Sequence, residues 1–130
     1  MDRLKGKVAI ITGGNSGVGE ATAKMFAKEG ATVVITARRE AALEKVAEEI
    51  KAAGGEVYAV STDISKKGDP ERLMDLVIEK YGKIDILVNN AGILEEGLKP
   101  IDRFSDEDLD RIVETNEKGT MRCMRAAAQK

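Results

Sequence analysis

The stretch TGGNSGVG, Thr12 to Gly19, decides how this chain is read. It follows the apolar run Val8-Ala-Ile-Ile11 and precedes an alanine-rich stretch. A strand that ends in glycines and reopens as a helix offers backbone N–H groups and the positive end of the helix dipole to an anion. Glycines also let a pyrophosphate approach the backbone and let helix and strand pack closely. Counted from Gly13, the spacing is G-x-x-x-G-x-G rather than G-x-G-x-x-G. No Lys-Ser/Thr closes it, so it does not read as an ATP or GTP loop. Two readings stand: a phosphate turn for a dinucleotide, or glycines that merely make a tight connection between strand and helix.

Outward from this turn, two kinds of segment alternate. Val8-Ala-Ile-Ile11, Thr32-Val-Val-Ile-Thr36, Val57-Tyr-Ala-Val60 and Ile84-Asp-Ile-Leu-Val88 are short apolar runs. Runs without in-out alternation suit strands buried on both faces of a parallel sheet. Helical stripes lie between and after them. Val18, Ala21, Thr22 and Met25 form the first, and Gly30 stops it. Leu43, Val46, Ala47 and Ile50 form the second, stopped by Gly54-Gly55. Leu73, Val77 and Tyr81 form the third, with Asp69 as expected N-cap, Pro70 at N1 and Gly82 after it. The last begins at Ser105, and its stripe is Leu109, Ile112, Val113, Asn116, Thr120 and Cys123. The order β-α-β-α-β-α-β-α implies right-handed crossovers onto one parallel sheet. No repeat or linker divides the chain, so residues 1–130 are expected to form one nucleotide-binding half-domain.

Composition narrows the function. A chain of 130 residues has the size of one domain. A net charge of −2 provides no general attraction for nucleic acid or anionic lipid. Aromatics at 3% argue against base-stacking platforms. The absence of histidine removes His-based triads and His-metal sites, and the single Cys123 cannot pair within the chain. No metal site is expected. No apolar run approaches the roughly 18 residues of a membrane span, and the N-terminus shows no signal-peptide pattern. A cytoplasmic protein is expected, with partners limited to a nucleotide and a second copy of the chain.

At this point a family resemblance becomes specific. Thr12-Gly-Gly-Asn-Ser-Gly-Val-Gly19 resembles the T-G-x-x-x-G-x-G turn of the short-chain dehydrogenases/reductases. Asp63 after the third strand, Asn89-Asn-Ala-Gly92 after the fourth, and Asn116 in the last helix match that family in order and spacing. The resemblance covers the whole chain, and about the first half of the family's usual length. It implies a half-Rossmann α/β fold: a four-stranded parallel sheet in the order 3-2-1-4 with helices on both faces.

The resemblance also implies roles. Gly13, Gly17 and Gly19 shape the pyrophosphate turn, with Asn15, Ser16 and Val18 beside it. Asp63 accepts a hydrogen bond from the adenine amino group, and Ile64 lines the adenine pocket. Asn90, Ala91 and Gly92 lie against the nicotinamide-side ribose. Asn116 matches the asparagine that supports the family's proton relay. Ala37 stands where family members preferring NAD usually carry Asp, and Arg38-Arg39 follow. A guanidinium suits a 2′-phosphate, so NADP is expected rather than NAD. The family's other NADP signal, a basic residue before the second glycine, is absent, since Ser16 stands there.

Each position also has a plainer reading. Arg38-Arg39 can be a solvated helix start. Asp63 can make an Asx-turn or a cap. Asn89-Asn90 can tie down a strand end. A polar Asn116 on an apolar stripe needs a partner whatever its role.

The family's chemistry requires a Ser and a Tyr-x-x-x-Lys pair, in which the lysine lowers the tyrosine pKa. The two tyrosines here, Tyr58 and Tyr81, are followed four residues on by Thr62 and Asp85. Catalysis by this chain alone is therefore not expected, and Asn116 would be vestigial. The run Ile84 to Val88 would be an exposed apolar sheet edge, which predicts a homodimer through that edge or the adjacent helices. Glu117 and Arg122 stand where the family usually has apolar residues, which suggests an isolated half whose uncovered surface was made polar. Three functions follow: an NADP(H)-binding module, half of an oxidoreductase completed by another chain or cut by proteolysis, or an engineered half-fold without a ligand.

Overall fold

The computed structural model describes residues 2–14, 17–90, 105–107, 110 and 113–129. Four parallel strands form one sheet: β1 (Val8–Thr12), β2 (Thr32–Ala37), β3 (Glu56–Ser61) and β4 (Ile86–Val88), in the order β3-β2-β1-β4. The order and the parallel pairing agree with the expectation. The register runs Val8 opposite Thr32, Thr32 opposite Glu56, and Ala9 opposite Ile86.

Helices cover both faces because every β1 residue is buried and neighbours on a strand point opposite ways. On one face, Ile11, Val33, Ile35 and Val57 meet α1 (Gly17–Lys28) and α2 (Glu40–Ala52) through Ala23, Leu43, Val46 and Ile50. On the other, Val8, Ile10, Val34 and Val60 meet α3 (Asp69–Tyr81) and α4 (Thr120–Ala128) through Leu73, Met74, Val77, Cys123 and Ala126. A π-helical segment, Val113–Gly119, leads into α4.

The second stripe is as expected: Leu43, Val46, Ala47 and Ile50 are all buried. In the third, Leu73 and Val77 are buried and Tyr81 packs at the margin. Gly82 ends α3 with φ +80° and donates its N–H to the Ile78 carbonyl, as an αL cap does.

Four expectations need correction. The stripe Val18, Ala21, Thr22 and Met25 is not the packed face of α1: Val18 is 73% and Met25 60% exposed, while Gly19 and Ala23 are buried. The contact of Gly19 with the β1 turn fixes the helix rotation, and the larger apolar side chains are turned outward. Gly68, at φ +91°, is the N-cap of α3, and Asp69 is its first residue. Asp69 Oδ2 instead accepts from the Asp63 N–H at 2.9 Å.

The fourth strand is also shorter than expected. Asp85 precedes the strand: its backbone N–H donates to the Val8 carbonyl at 2.9 Å and its carboxylate accepts the Val8 N–H at 2.8 Å. Hydrogen bonding to Val8, aided by Lys83, holds that carboxyl below its usual range. The edge is therefore three half-buried residues rather than a long apolar strand. Finally, Val113 is exposed, off the expected stripe. A π turn carries more residues than an α turn, so the α-helical phase fails across it. Leu109 and Ile112 lie outside the described residues.

Candidate nucleotide-binding site

The site lies at the carboxyl ends of the strands, the end at which open α/β sheets take their ligands. It begins with the turn after β1. The Gly13 N–H donates to the Thr36 carbonyl at 2.8 Å and the Gly14 N–H to the same oxygen at 3.3 Å, so the turn is bound to β2. Gly13 and Gly17 have φ +70° and +56°, the left-handed region that glycine enters without steric cost.

The glycines do different work. A Cβ at Gly19 would run into the Gly13 carbonyl oxygen and lie 2.6 Å from Asn90 Nδ2. Gly19 is thus required for packing. Among the described residues a Cβ at Gly17 would meet nothing within 4 Å. Gly17 opens α1, and the first-turn N–H groups of a helix have no intrahelical acceptor. The turn therefore fits a pyrophosphate. Val18, beside it, is exposed. Asn15 and Ser16 lie outside the described residues.

β4 delivers the next group. The Asn90 N–H donates to Thr12 Oγ1 at 3.0 Å, and Asn90 Nδ2 donates to the Gly13 carbonyl at 3.3 Å. Thr12 Oγ1 in turn donates to the Val88 carbonyl at 3.3 Å. Asn90 thus ties the end of β4 to the turn, the plainer of its two roles, and does so at the site itself. Ala91 and Gly92 lie outside the described residues.

Arg38 follows β2. Ser61 Oγ donates to its carbonyl at 3.1 Å, which anchors the backbone while the side chain stays exposed. An exposed guanidinium next to the strand ends is suited to a phosphate.

Past β3, Asp63 makes the Asx-turn: its Oδ1 accepts from the Ser65 N–H at 3.0 Å and from Ser65 Oγ at 2.5 Å. Among the described residues its Oδ2 has no donor, and that oxygen is free for a ligand. Ile64 is buried in the core face shared with α3 and α4. Asn116 sits on the π-helical backbone, and its side chain is outside the described set.

Several supporting residues were not singled out from the sequence. Thr36 and Thr62, both buried, share a hydrogen bond between their hydroxyls beneath the site. Threonine at the ends of two neighbouring apolar runs was the available signal. Gly14 packs so closely that a Cβ would lie 2.8 Å from Ile35 Cβ.

Arg122 is a correction. It is not an uncovered surface charge. Its side chain is 14% exposed, and Nη1 donates to the Ser65 carbonyl at 3.0 Å and to Glu114 Oε1 at 2.6 Å. Glu117 is exposed as expected. Burial pushes the Cys123 thiol up to about 11, so it is not a nucleophile.

A family profile described as short chain dehydrogenase matches residues 7–130. The chain belongs to the short-chain dehydrogenase family. It is 42% identical to an uncharacterized oxidoreductase of Listeria innocua over 118 residues, covering 91% of this chain and 47% of that protein. It is 42% identical to tropinone reductase-like 1 of Erythroxylum coca over 119 residues, covering 90% and 43%.

Among solved structures, a short-chain type dehydrogenase/reductase from Mycobacterium marinum superposes with TM-score 0.91 at 35% identity, covering 97% of this chain and 50% of that one. A variant of actinorhodin polyketide ketoreductase, solved with NADPH, superposes with TM-score 0.88 at 35% identity, covering 95% and 46%. The chain thus spans about half the length of the relatives it matches. Among the described residues no helix is long and apolar enough to cross a membrane.

Proposed function

We propose that this chain is a half-Rossmann module that holds NADP(H) at the carboxyl ends of β1, β2 and β3. One observation carries the reading: Gly17, at φ +56°, opens α1 with no described residue within 4 Å of where its Cβ would be, while Gly19 locks that helix onto the turn. Gly13, Asn15, Ser16, Gly17, Val18 and Gly19 would hold the pyrophosphate. Asp63 and Ile64 would hold the adenine, and Asn90, Ala91 and Gly92 the nicotinamide-side ribose. Arg38 would read the 2′-phosphate. Its exposed guanidinium and the absence of an acidic residue at Ala37 favour NADP over NAD. That a related ketoreductase was solved with NADPH supports the same choice.

The bound cofactor supplies hydride. We propose that this chain alone does not pass it to a carbonyl. Tyr58 sits mid-strand opposite Val34, and Tyr81 closes α3 at the far end of the sheet from the turn. Burial raises the Tyr81 phenol, the opposite of what a proton donor paired with lysine needs. Asn116 then serves structure rather than a relay.

Titration with NADPH, followed by nicotinamide fluorescence, tests the reading. Saturable binding that NADH reproduces more weakly is expected. Cooperative thermal unfolding that neither nucleotide shifts would instead favour a half-fold without a ligand.

A second reading rests on the sheet edge. Among the described residues β4 pairs with β1 alone, its three residues are half-buried, and Met121 and Met124 on α4 are exposed. We propose that these surfaces are covered by another chain, either a second copy in a homodimer or the remaining half of an oxidoreductase. Sedimentation that reports a concentration-independent monomer would refute the homodimer. A copurifying fragment carrying Tyr-x-x-x-Lys would establish the oxidoreductase half. A cytoplasmic location accords with these partners, and fractionation of the source cells would test it.

A further inference from the structure

The loop after β3 is held from within by the Asp63 Asx-turn and by the Lys66 N–H on the Asp63 carbonyl at 3.0 Å, and from outside by the last helix. Ile64 meets Gly119 so closely that a Cβ there would lie 2.9 Å from both Ile64 Cγ1 and the Ile64 carbonyl oxygen. One residue further, the Ser65 carbonyl accepts from Arg122 Nη1 at 3.0 Å. Ser65 in turn presents its N–H and hydroxyl to Asp63 Oδ1. The same Arg122 nitrogen is drawn to Glu114 Oε1 at 2.6 Å, and Lys118 Nζ stands 3.6 Å from Glu114 Oε2. A chain of contacts therefore runs from Glu114, at the start of the π-helical segment, through Arg122 on α4 to the carboxylate of Asp63.

We propose that Arg122 is a positioning residue for adenine recognition: it fixes Ser65, and through Ser65 it aims the Asp63 carboxylate at the ligand. The inference rests on the NADP(H) reading above. An arginine that only stapled α4 to the core would need no contact with the loop, since Cys123 and Ala126 already seat that helix. The guanidinium instead bridges Glu114 and a backbone carbonyl two residues from the one that would meet the base. A mostly covered guanidinium held by a carboxylate has little freedom, and it transmits that rigidity to the carbonyl it contacts.

A double-mutant cycle tests this. NADPH fluorescence, with 2′,5′-ADP as competitor, is measured on the full chain for wild type, Arg122→Ala, Asp63→Ala and the double variant. Arg122→Ala is expected to weaken 2′,5′-ADP about tenfold. In the Asp63→Ala background the same change is expected to add less than about twofold, because the group it positions is gone.

If Arg122→Ala does not fold, Glu114→Gln provides the second variant. It leaves the Ser65 contact in place and loosens its anchor. It should weaken 2′,5′-ADP about threefold, again only when Asp63 is present. Clamp variants that bind as wild type, or losses that multiply with Asp63→Ala, would overturn the inference alone. A wild-type chain that binds neither NADPH nor 2′,5′-ADP would overturn the NADP(H) reading and this inference with it.

Discussion

The turn after β1 and the loop after β3 both face the proposed nucleotide, but they are held by different means. The turn is held mainly by backbone. Gly13 and Gly14 donate to the Thr36 carbonyl, and Gly19 lies on the Gly13 carbonyl. The loop is held mainly by side chains: Asp69, six residues on, takes the Asp63 N–H, and Arg122, from far along the chain, donates to the Ser65 carbonyl. At Gly14 and Gly19 this backbone-built turn has no room for an added atom. A loop built by side chains can lose one contact and keep its fold, at the expense of precision. The comparison teaches that rigidity at one site has two sources, and that they fail differently under mutation.

The largest expected effect is at the turn. Gly19→Ala would force a methyl against the Gly13 carbonyl and Asn90, where backbone cannot yield. It should destabilise the chain by roughly 3 kcal/mol and abolish NADPH binding. Urea unfolding and a titration would show it. A stable, binding-competent Gly19→Ala would break the distinction drawn between the two regions.

Next comes the buried threonine pair beneath both regions. Thr62→Val leaves the Thr36 hydroxyl without its partner and should cost about 2 kcal/mol. The double variant Thr36→Val with Thr62→Val should recover most of that stability, because no buried hydroxyl is then orphaned. Denaturation midpoints that simply add would refute the pairing.

Arg38 stands between the regions, with its carbonyl tied to Ser61 on β3. Arg38→Ala should lower the preference for NADPH over NADH about tenfold and leave the melting temperature unchanged. An unchanged preference would move the 2′-phosphate away from Arg38.

The smallest effect is a pH dependence of the Arg122 anchor. The hydrogen bond from Arg122 holds the Glu114 carboxyl below its usual range. A carboxyl depressed in the folded state stabilises above its unfolded pKa, and that stabilisation is lost as pH falls through its folded value. Wild type should therefore exceed Glu114→Gln in stability at neutral pH. The gap should close as pH falls below about 4, the ordinary carboxylate range. A gap that persisted in acid would show that the carboxylate charge is not what holds Arg122.

The two regions also differ in how far they were legible. Parallel pairing and the faces of α2 and α3 followed from apolar runs and helical stripes, because those patterns are local and periodic, whereas the strand order followed from the family resemblance. The first stripe misled for a physical reason. Val18 and Met25 look like a buried face, but the need of Gly19 to touch Gly13 turned α1 the other way. Close backbone contact outweighed apolar periodicity. In the last helix the π turn broke the α phase, so Val113 faces outward. Arg122 read as a surface charge because nothing local to it announces Ser65, 57 residues away.

The sequence by itself determined the α/β alternation, the glycine turn and the family resemblance, since each is written in residues close together along the chain. The tertiary structure alone decided which face of α1 is buried, how short β4 is, and what holds the Ser65 carbonyl. Those outcomes depend on contacts between distant segments, where a glycine without a side chain and a mostly covered guanidinium set the fit.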